Sequence, residues 1–136
     1  MLVKDIMSRN LITVKESDTI QHAAELMRQY DIGILPVVEG SSVTGVITDR
    51  DIVTRGVSQK SSVSELTVCD CMSKSTVCAN PDQQVSEAAK TMAAQQVRRV
   101  PVVENGQLCG ILSLGDISKN GCDTEVASAM CEISKP

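Results

Sequence analysis

The chain has 136 residues, room for one compact domain or for two small ones that need each other to close a core, and too few for a large catalytic barrel. Its 13 lysines and arginines stand against 17 acidic residues, a net charge of −4, which argues against a surface built to neutralise a phosphodiester backbone. Hydrophobic residues at 42% and charged residues at 22% exclude disorder on composition, while Tyr30 is the single aromatic, so no stacking platform for bases exists and any bound ring has to lie between aliphatic side chains.

In chain order, Val3 to Met7 predicts a short helical lead-in, and Leu11 to Val14 a β-rich run. Asp18 is the expected N-cap of a helix whose Ile20, Ala23, Ala24 and Met27 share one face. Ile34 to Val38 and Val43 to Thr48 are β-branched runs joined by Glu39-Gly40-Ser41-Ser42, and Asp49 to Gly56 reads as a second helix. The same order returns as Thr76 to Ala79, Val85 to Gln95, Val100 to Val103, Leu108 to Ser113 and Gly115 to Lys119. Between them, residues 59–65 form a serine-rich linker, and Asp123 to Ile133 predicts a terminal helix with Val126, Met130 and Ile133 on one stripe.

The recurrence is a duplication. Asp5-Ile6-Met7-Ser8 returns as Asp70-Cys71-Met72-Ser73, Ala23-Ala24 as Ala88-Ala89, Met27 as Met92, Pro36-Val37-Val38-Glu39 as Pro101-Val102-Val103-Glu104, Gly45 as Gly110 and Asp51-Ile52 as Asp116-Ile117, every pair 65 positions apart. Each copy is a β-α-β-β-α unit, marginal alone at that size, so two copies are expected to pack through their sheets. Met7 and Met72 are expected to pack the short helices.

Lys4, Asp5 and Arg9 interrupt the first apolar residues, where a signal peptide would carry an apolar run, and no segment approaches the ~20 apolar residues of a membrane span. The expected location is the cytoplasm, with no membrane partner. All six cysteines (Cys69, Cys71, Cys78, Cys109, Cys122, Cys131) lie in the second half and read as free thiols in a reducing compartment. Cys69 and Cys71 form a C-x-C, but no second pair completes a four-ligand set and the one histidine, His22, is distant in sequence, so no metal site is expected. Neither a P-loop, nor a His-Glu-x-x-His, nor a nucleophile beside a base occurs, and the chain is not expected to be an enzyme.

At Gly45-Val46-Ile47-Thr48-Asp49-Arg50-Asp51 and Gly110-Ile111-Leu112-Ser113-Leu114-Gly115-Asp116, each preceded by a Pro-h-Val strand, the sequence resembles the cystathionine β-synthase (CBS) domain family. The resemblance runs from Val3 to Gly121 and is similar to small stand-alone bacterial pairs related to the regulatory insert of inosine-monophosphate dehydrogenase, without that enzyme's barrel. It implies an α+β fold of two tandem CBS repeats packed through their sheets as a Bateman-type pair, with residues 1–58 and 66–121 as the repeats and 122–136 as a helical tail. It also implies a regulatory module that binds AMP, ADP, ATP or S-adenosylmethionine in clefts between the repeats, with no cofactor and an unidentified regulated protein as partner.

The residues fit that implication. Asp51 or Asp116 can accept hydrogen bonds from both ribose hydroxyls, and Thr48 or Ser113, three residues earlier, sits at the same helix start, where anionic phosphate is favoured. The alternative is that Thr48 and Asp51 only cap the helix. By the resemblance, Arg98 and Arg99 reach phosphate; their counterparts are Gly33 and Ile34, and Arg50 is matched by Gly115, so the two sites are unequal. Ile12, Ile34, Val77 and Val100 are candidates for the aliphatic clamp on a base. Cys78 aligns with Thr13 and Cys109 with Thr44. Rival readings are an interaction adaptor with empty clefts and a cysteine-based redox or metal sensor. The Ala and Met faces of the paired helices predict a homodimer.

Overall fold

Two β-hairpins, each built around a proline, organise the chain. The computed structural model describes residues 1–9, 11–59, 62–74, 77–120 and 133. In order, the elements are α1 (Val3–Ile6), α2 (Ile20–Tyr30), β1 (Ile34–Glu39), β2 (Ser42–Thr48), α3 (Asp49–Asp51, running on as a π-helical stretch Ile52–Val57), α4 (Val68–Cys71), α5 (Val85–Gln95), β3 (Arg99–Glu104), β4 (Gln107–Ser113) and α6 (Leu114–Lys119). This is an α+β fold of two repeats. Its compact units are Ile12–Thr76 on one hand and Met1–Leu11 with Val77–Pro136 on the other. The terminal helix expected over 123–133 lies outside the described residues except for Ile133, which is helical and packs half-buried on the core of the second of these units.

The hairpins pair β1 with β2 from Ile34↔Thr48 to Glu39↔Ser42, and β3 with β4 from Arg99↔Ser113 to Glu104↔Gln107. The first turns through Gly40 at φ +64, the second through Asn105 at φ 54 and Gly106 at φ 80, the left-handed pattern of a two-residue hairpin. A bulge follows Val37 in one and Val102 in the other, leaving Thr44 and Cys109 as the extra residues; the Thr44 hydroxyl donates to Val37 O at 3.3 Å.

The β-runs at Leu11–Val14 and, with Thr76 outside the described residues, at Val77–Ala79 do not become strands. Each contributes a single parallel bridge, Val14 to Val37 and Ala79 to Val102. Val14 N donates to Pro36 O at 3.1 Å and Val38 N to Val14 O at 2.9 Å; Ala79 N donates to Pro101 O and Val103 N to Ala79 O at 2.9 and 2.8 Å. One step further back in the ladder the donor would be the proline nitrogen, which carries no hydrogen, so pairing cannot extend toward Ile12 or Val77.

Asp18 is not the N-cap of α2. Thr19 is, its Oγ1 accepting from His22 N at 3.1 Å, while the Asp18 carboxylate closes the turn before it by accepting from Lys15 N at 2.8 Å. Of the expected face, Ile20, Ala23 and Met27 are buried but Ala24 is exposed, whereas Val85, Ala88, Ala89 and Met92 are all buried in α5.

The lead-ins are exchanged. The first copy's α1 packs in the unit of the second copy: Val3 N donates to Gln83 O and Lys4 N to Pro81 O, both at 2.9 Å, and Lys4 Nζ meets Asp82 Oδ1 at 3.0 Å. The second copy's α4 does the same in Ile12–Thr76, with Val68 N donating to Asp18 O at 2.8 Å and Cys69 N to Glu16 O at 3.0 Å. Ser8 then exchanges two backbone bonds with Ile111, each 2.9 Å, and Ser73 two with Val46, at 2.9 and 3.0 Å. Met7 and Met72 therefore lie over Gly110 and Gly45, where a Cβ would stand 2.7 Å from Met7 Sδ and 2.5 Å from Met72 Cε.

Candidate functional site

The hairpin ends deliver the duplicated Thr/Ser-x-x-Asp segments to the start of a helix. Thr48 and Ser113 are extended N-caps, so the chain turns into α3 and α6 at these residues. In the first copy Thr48 N donates to Asp51 Oδ2 at 3.0 Å and Asp51 N to Thr48 Oγ1 at 3.1 Å. In the second, Ser113 N donates to Asp116 Oδ2 at 2.9 Å and Asp116 N to Ser113 Oγ at 3.0 Å. Reciprocal bonds of this kind fix the carboxylate plane and commit one oxygen of each aspartate. Both side chains are half-buried, and each box leaves a carboxylate oxygen and a hydroxyl proton available for other partners.

The residues across from each box differ. Ile34 pairs with Thr48 and Asp49 N donates to Gly33 O at 3.0 Å; Arg99 pairs with Ser113 and Leu114 N donates to Arg98 O at 3.0 Å. A Cβ on Gly33 would come within 3.0 Å of Asp49 Oδ2, so that carboxylate occupies the space beside the glycine. The second copy has Leu114, buried, where the first has Asp49, and Arg98 where it has Gly33. Arg98 and Arg99 are exposed and form no ion pair among the described residues. Arg50 is also exposed, its backbone N–H donating to Asp49 Oδ1 at 2.8 Å, and its counterpart Gly115 has only Ser113 Oγ nearby, at 3.5 Å from a would-be Cβ.

Thr48, Asp51, Arg50 and Ile34 thus gather in Ile12–Thr76, and Ser113, Asp116, Arg98 and Arg99 in the other unit. Ile12 and Val77 are half-buried, each packed against the core of its own unit. Val100 is 3% exposed and is a core residue opposite Leu112. One charged neighbour escaped the sequence reading: Arg55, whose Nε lies 4.0 Å from Asp51 Oδ1. The signal was present as an acidic residue four positions before a basic one on a helix. Among the described residues no group of three or more His, Cys, Asp or Glu side chains is placed to hold a metal ion, and no helix is long and apolar enough to cross a membrane.

The CBS domain model matches residues 3–58 and 63–121. The chain is 41% identical over 133 residues to the CBS domain-containing protein YhcV of Bacillus subtilis, covering 97% of this chain and 94% of that one. Hypoxic response protein 1 of Mycobacterium tuberculosis is 33% identical over 134 residues, covering 98% and 94%. Among solved structures, the CBS domain pair of protein MJ0100 in complex with 5′-methylthioadenosine and S-adenosyl-L-methionine superposes with a TM-score of 0.77 at 30% identity, covering 88% of this chain and 98% of that one. With the family matched in both copies and a relative of nearly the same length so similar, the duplicated Thr/Ser-x-x-Asp boxes are those of a tandem pair, and the chain belongs to the CBS domain family.

Proposed function

We propose that the chain is a non-enzymatic regulatory module that binds adenosine-containing nucleotides of the AMP, ADP and ATP type, one at each Thr/Ser-x-x-Asp box. The observation that carries the reading is the pair of half-buried aspartates, Asp51 and Asp116, each held by its own box with one carboxylate oxygen uncommitted within it. A ribose diol needs such an acceptor. That a CBS pair 30% identical to this chain is solved with two adenosine derivatives supports the ligand class.

The half-buried Ile34 and Ile12 in one unit and Val77 in the other supply the aliphatic contact that a base requires in a chain without stacking aromatics. Charge separates the two sites. Around the first box Asp49 and Asp51 balance Arg50 and Arg55, whereas Asp116 stands alone against Arg98 and Arg99, so phosphate is favoured at the second. The module acts as a cytoplasmic homodimer toward a regulated protein; Tyr30, Val53 and Val57, exposed by 46%, 59% and 57%, support self-association.

Calorimetric titration with adenosine, AMP, ATP and S-adenosylmethionine tests the reading. Asp51→Ala and Asp116→Ala should each remove one site, and Arg99→Ala should weaken ATP more than adenosine. Hydrogen bonds to a charged group carry roughly 1.5 to 3 kcal/mol apiece, so either aspartate variant should lose tenfold or more. Equal affinities across all four proteins, or no binding by the unaltered chain, would leave the boxes as helix caps and favour an adaptor.

A further inference from the structure

Arg55 stands one helical turn beyond Asp51 and is held on two sides. Its Nε lies 4.0 Å from Asp51 Oδ1, and its Nη1 donates to Met72 O at 3.2 Å and to Cys71 O at 3.5 Å, the carbonyls that close α4. The Asp51 side chain is 13% exposed and that of Arg55 52%. Since Asp51 Oδ2 is taken by the Thr48 N–H, Oδ1 is the oxygen left for a diol, and Arg55 is the charged group beside it. The second copy is built differently. The residue 65 positions on is Asn120, whose Nδ2 donates to the main-chain carbonyl of Asp116 at 2.7 Å, and Asp116 has no ion pair among the described residues.

Resting on the adenosine reading above, we propose that Arg55 is a positioning residue for the first-copy site, holding Asp51 Oδ1 in the orientation that meets the ribose hydroxyls and anchoring it to the Cys71 and Met72 carbonyls. The planar guanidinium presents several fixed N–H groups, so it can face a carboxylate and two carbonyls together. A lysine ammonium on its flexible stem reaches one of these partners at a time with comparable geometry. The device belongs to one site only, and this makes it separable from any general effect on the fold.

The test is calorimetry with adenosine, which carries no phosphate and so reports the ribose and base contacts alone. Asp116→Asn provides a parent in which the first-copy site remains; Arg55→Met, Arg55→Lys, Asp51→Asn and the double change Asp51→Asn with Arg55→Met are then made in it. Arg55→Met should weaken adenosine about two- to fivefold, with partial recovery in Arg55→Lys. The double change should bind no more weakly than Asp51→Asn, because Arg55 acts through the carboxylate. Unchanged affinity in Arg55→Met overturns the proposal, as do additive losses in the double change. If Arg55→Met fails to fold by circular dichroism, Arg55→Lys decides, and affinity equal to the parent overturns it. A parent that binds nothing while the unaltered chain binds adenosine overturns the first-copy site alone, whereas an unaltered chain that binds nothing overturns the adenosine reading itself.

Discussion

Gly45→Ala attacks the exchanged lead-in at its tightest point. A Cβ there would stand 2.5 Å from Met72 Cε, 3.1 Å from the Ser73 carbonyl carbon and closer still to Ser73 O. Met72 can swing aside. Ser73 cannot, because its N–H and C=O are both bonded to Val46, at 2.9 and 3.0 Å. Losing that pair costs about 1 kcal/mol per bond, and crowding in a close-packed interior adds roughly 1 to 3 kcal/mol, so a loss of about 4 kcal/mol is expected. With an unfolding entropy of about 2.1 cal/mol/K per residue, this is a fall in Tm of about 14 °C. Gly110→Ala should cost less, since its one backbone contact, Ser8 O at 2.8 Å, is looser than that of Gly45, and the other two, at 2.7 and 3.0 Å, are atoms of the flexible Met7 side chain. Gly115→Ala is the control. It meets only Ser113 Oγ at 3.5 Å and lies in a helix, so it should stabilise by about 0.5 to 1 kcal/mol. Urea unfolding of the three variants measures the order. A Gly45→Ala protein within about 0.5 kcal/mol of the unaltered chain would refute the contact, as this is the ordinary scatter of surface substitutions.

Two further outcomes follow from the same packing. Deleting residues 1–8 removes Val3, 0% exposed, and Met7, 9% exposed, from the core shared with β3 and β4, at a cost on the order of 4 kcal/mol. Amide exchange should then accelerate at Ile111, whose N–H donates to Ser8 O, while Val46 stays protected by Ser73; loss of protection in β1 and β2 instead would refute the exchange of lead-ins. Burial, then the nearby charges of Asp70 and Asp51, raise the Cys71 thiol above its ordinary pKa against the opposing pull of Arg55. The unfolded chain therefore releases that proton first, so the stability due to the thiol is whole at neutral pH and is lost as pH rises past the ordinary value through the raised one. Cys71→Ala should flatten the alkaline decline seen in urea unfolding, and an identical decline in both proteins would show that other groups cause it.

How much of this was legible in the residues varies with the range over which each feature is decided. The hairpins were readable because β-branched runs flank turn residues that supply the required left-handed φ, as at Gly40 and at Asn105-Gly106. The capping boxes were readable because Thr48 with Asp51 and Ser113 with Asp116 are local, three residues apart. The failed strands at Leu11–Val14 and Val77–Ala79 were not, since what stops them is a missing donor on Pro36 or Pro101, more than 20 positions later in the chain. Nor was the exchange of lead-ins. Met7-Ser8 and Gly45 repeat in register with Met72-Ser73 and Gly110, yet the spacing alone does not say that each methionine covers the other copy's glycine. Asp18 and Thr19 are both good capping residues, and the choice between them rests on the turn that Asp18 closes with Lys15.

The inequality of the two copies is built in pairs of positions. At one pair, Gly33 and Asp49 of the first copy become Arg98 and Leu114 of the second. The first pairing is steric, since any side chain on Gly33 would crowd the Asp49 carboxylate. With Leu114 buried instead, that carboxylate is gone and a long cation is accommodated at Arg98. At another pair, Arg50 and Arg55 become Gly115 and Asn120, which removes both arginines from the helix after the second box and leaves Lys119 in its last turn. The first copy thus keeps its arginines on the helix that follows the box, beside the aspartate, and the second keeps them at Arg98 and Arg99, across from the box. A single change such as Gly33→Arg would require the exposed Asp49 carboxylate to shift by a few tenths of an ångström, whereas the pair Gly33→Arg with Asp49→Leu would remove that neighbour. Two duplicated boxes with nearly the same internal geometry therefore stand in different electrostatic surroundings, set at the paired positions Gly33 with Asp49 and Arg98 with Leu114.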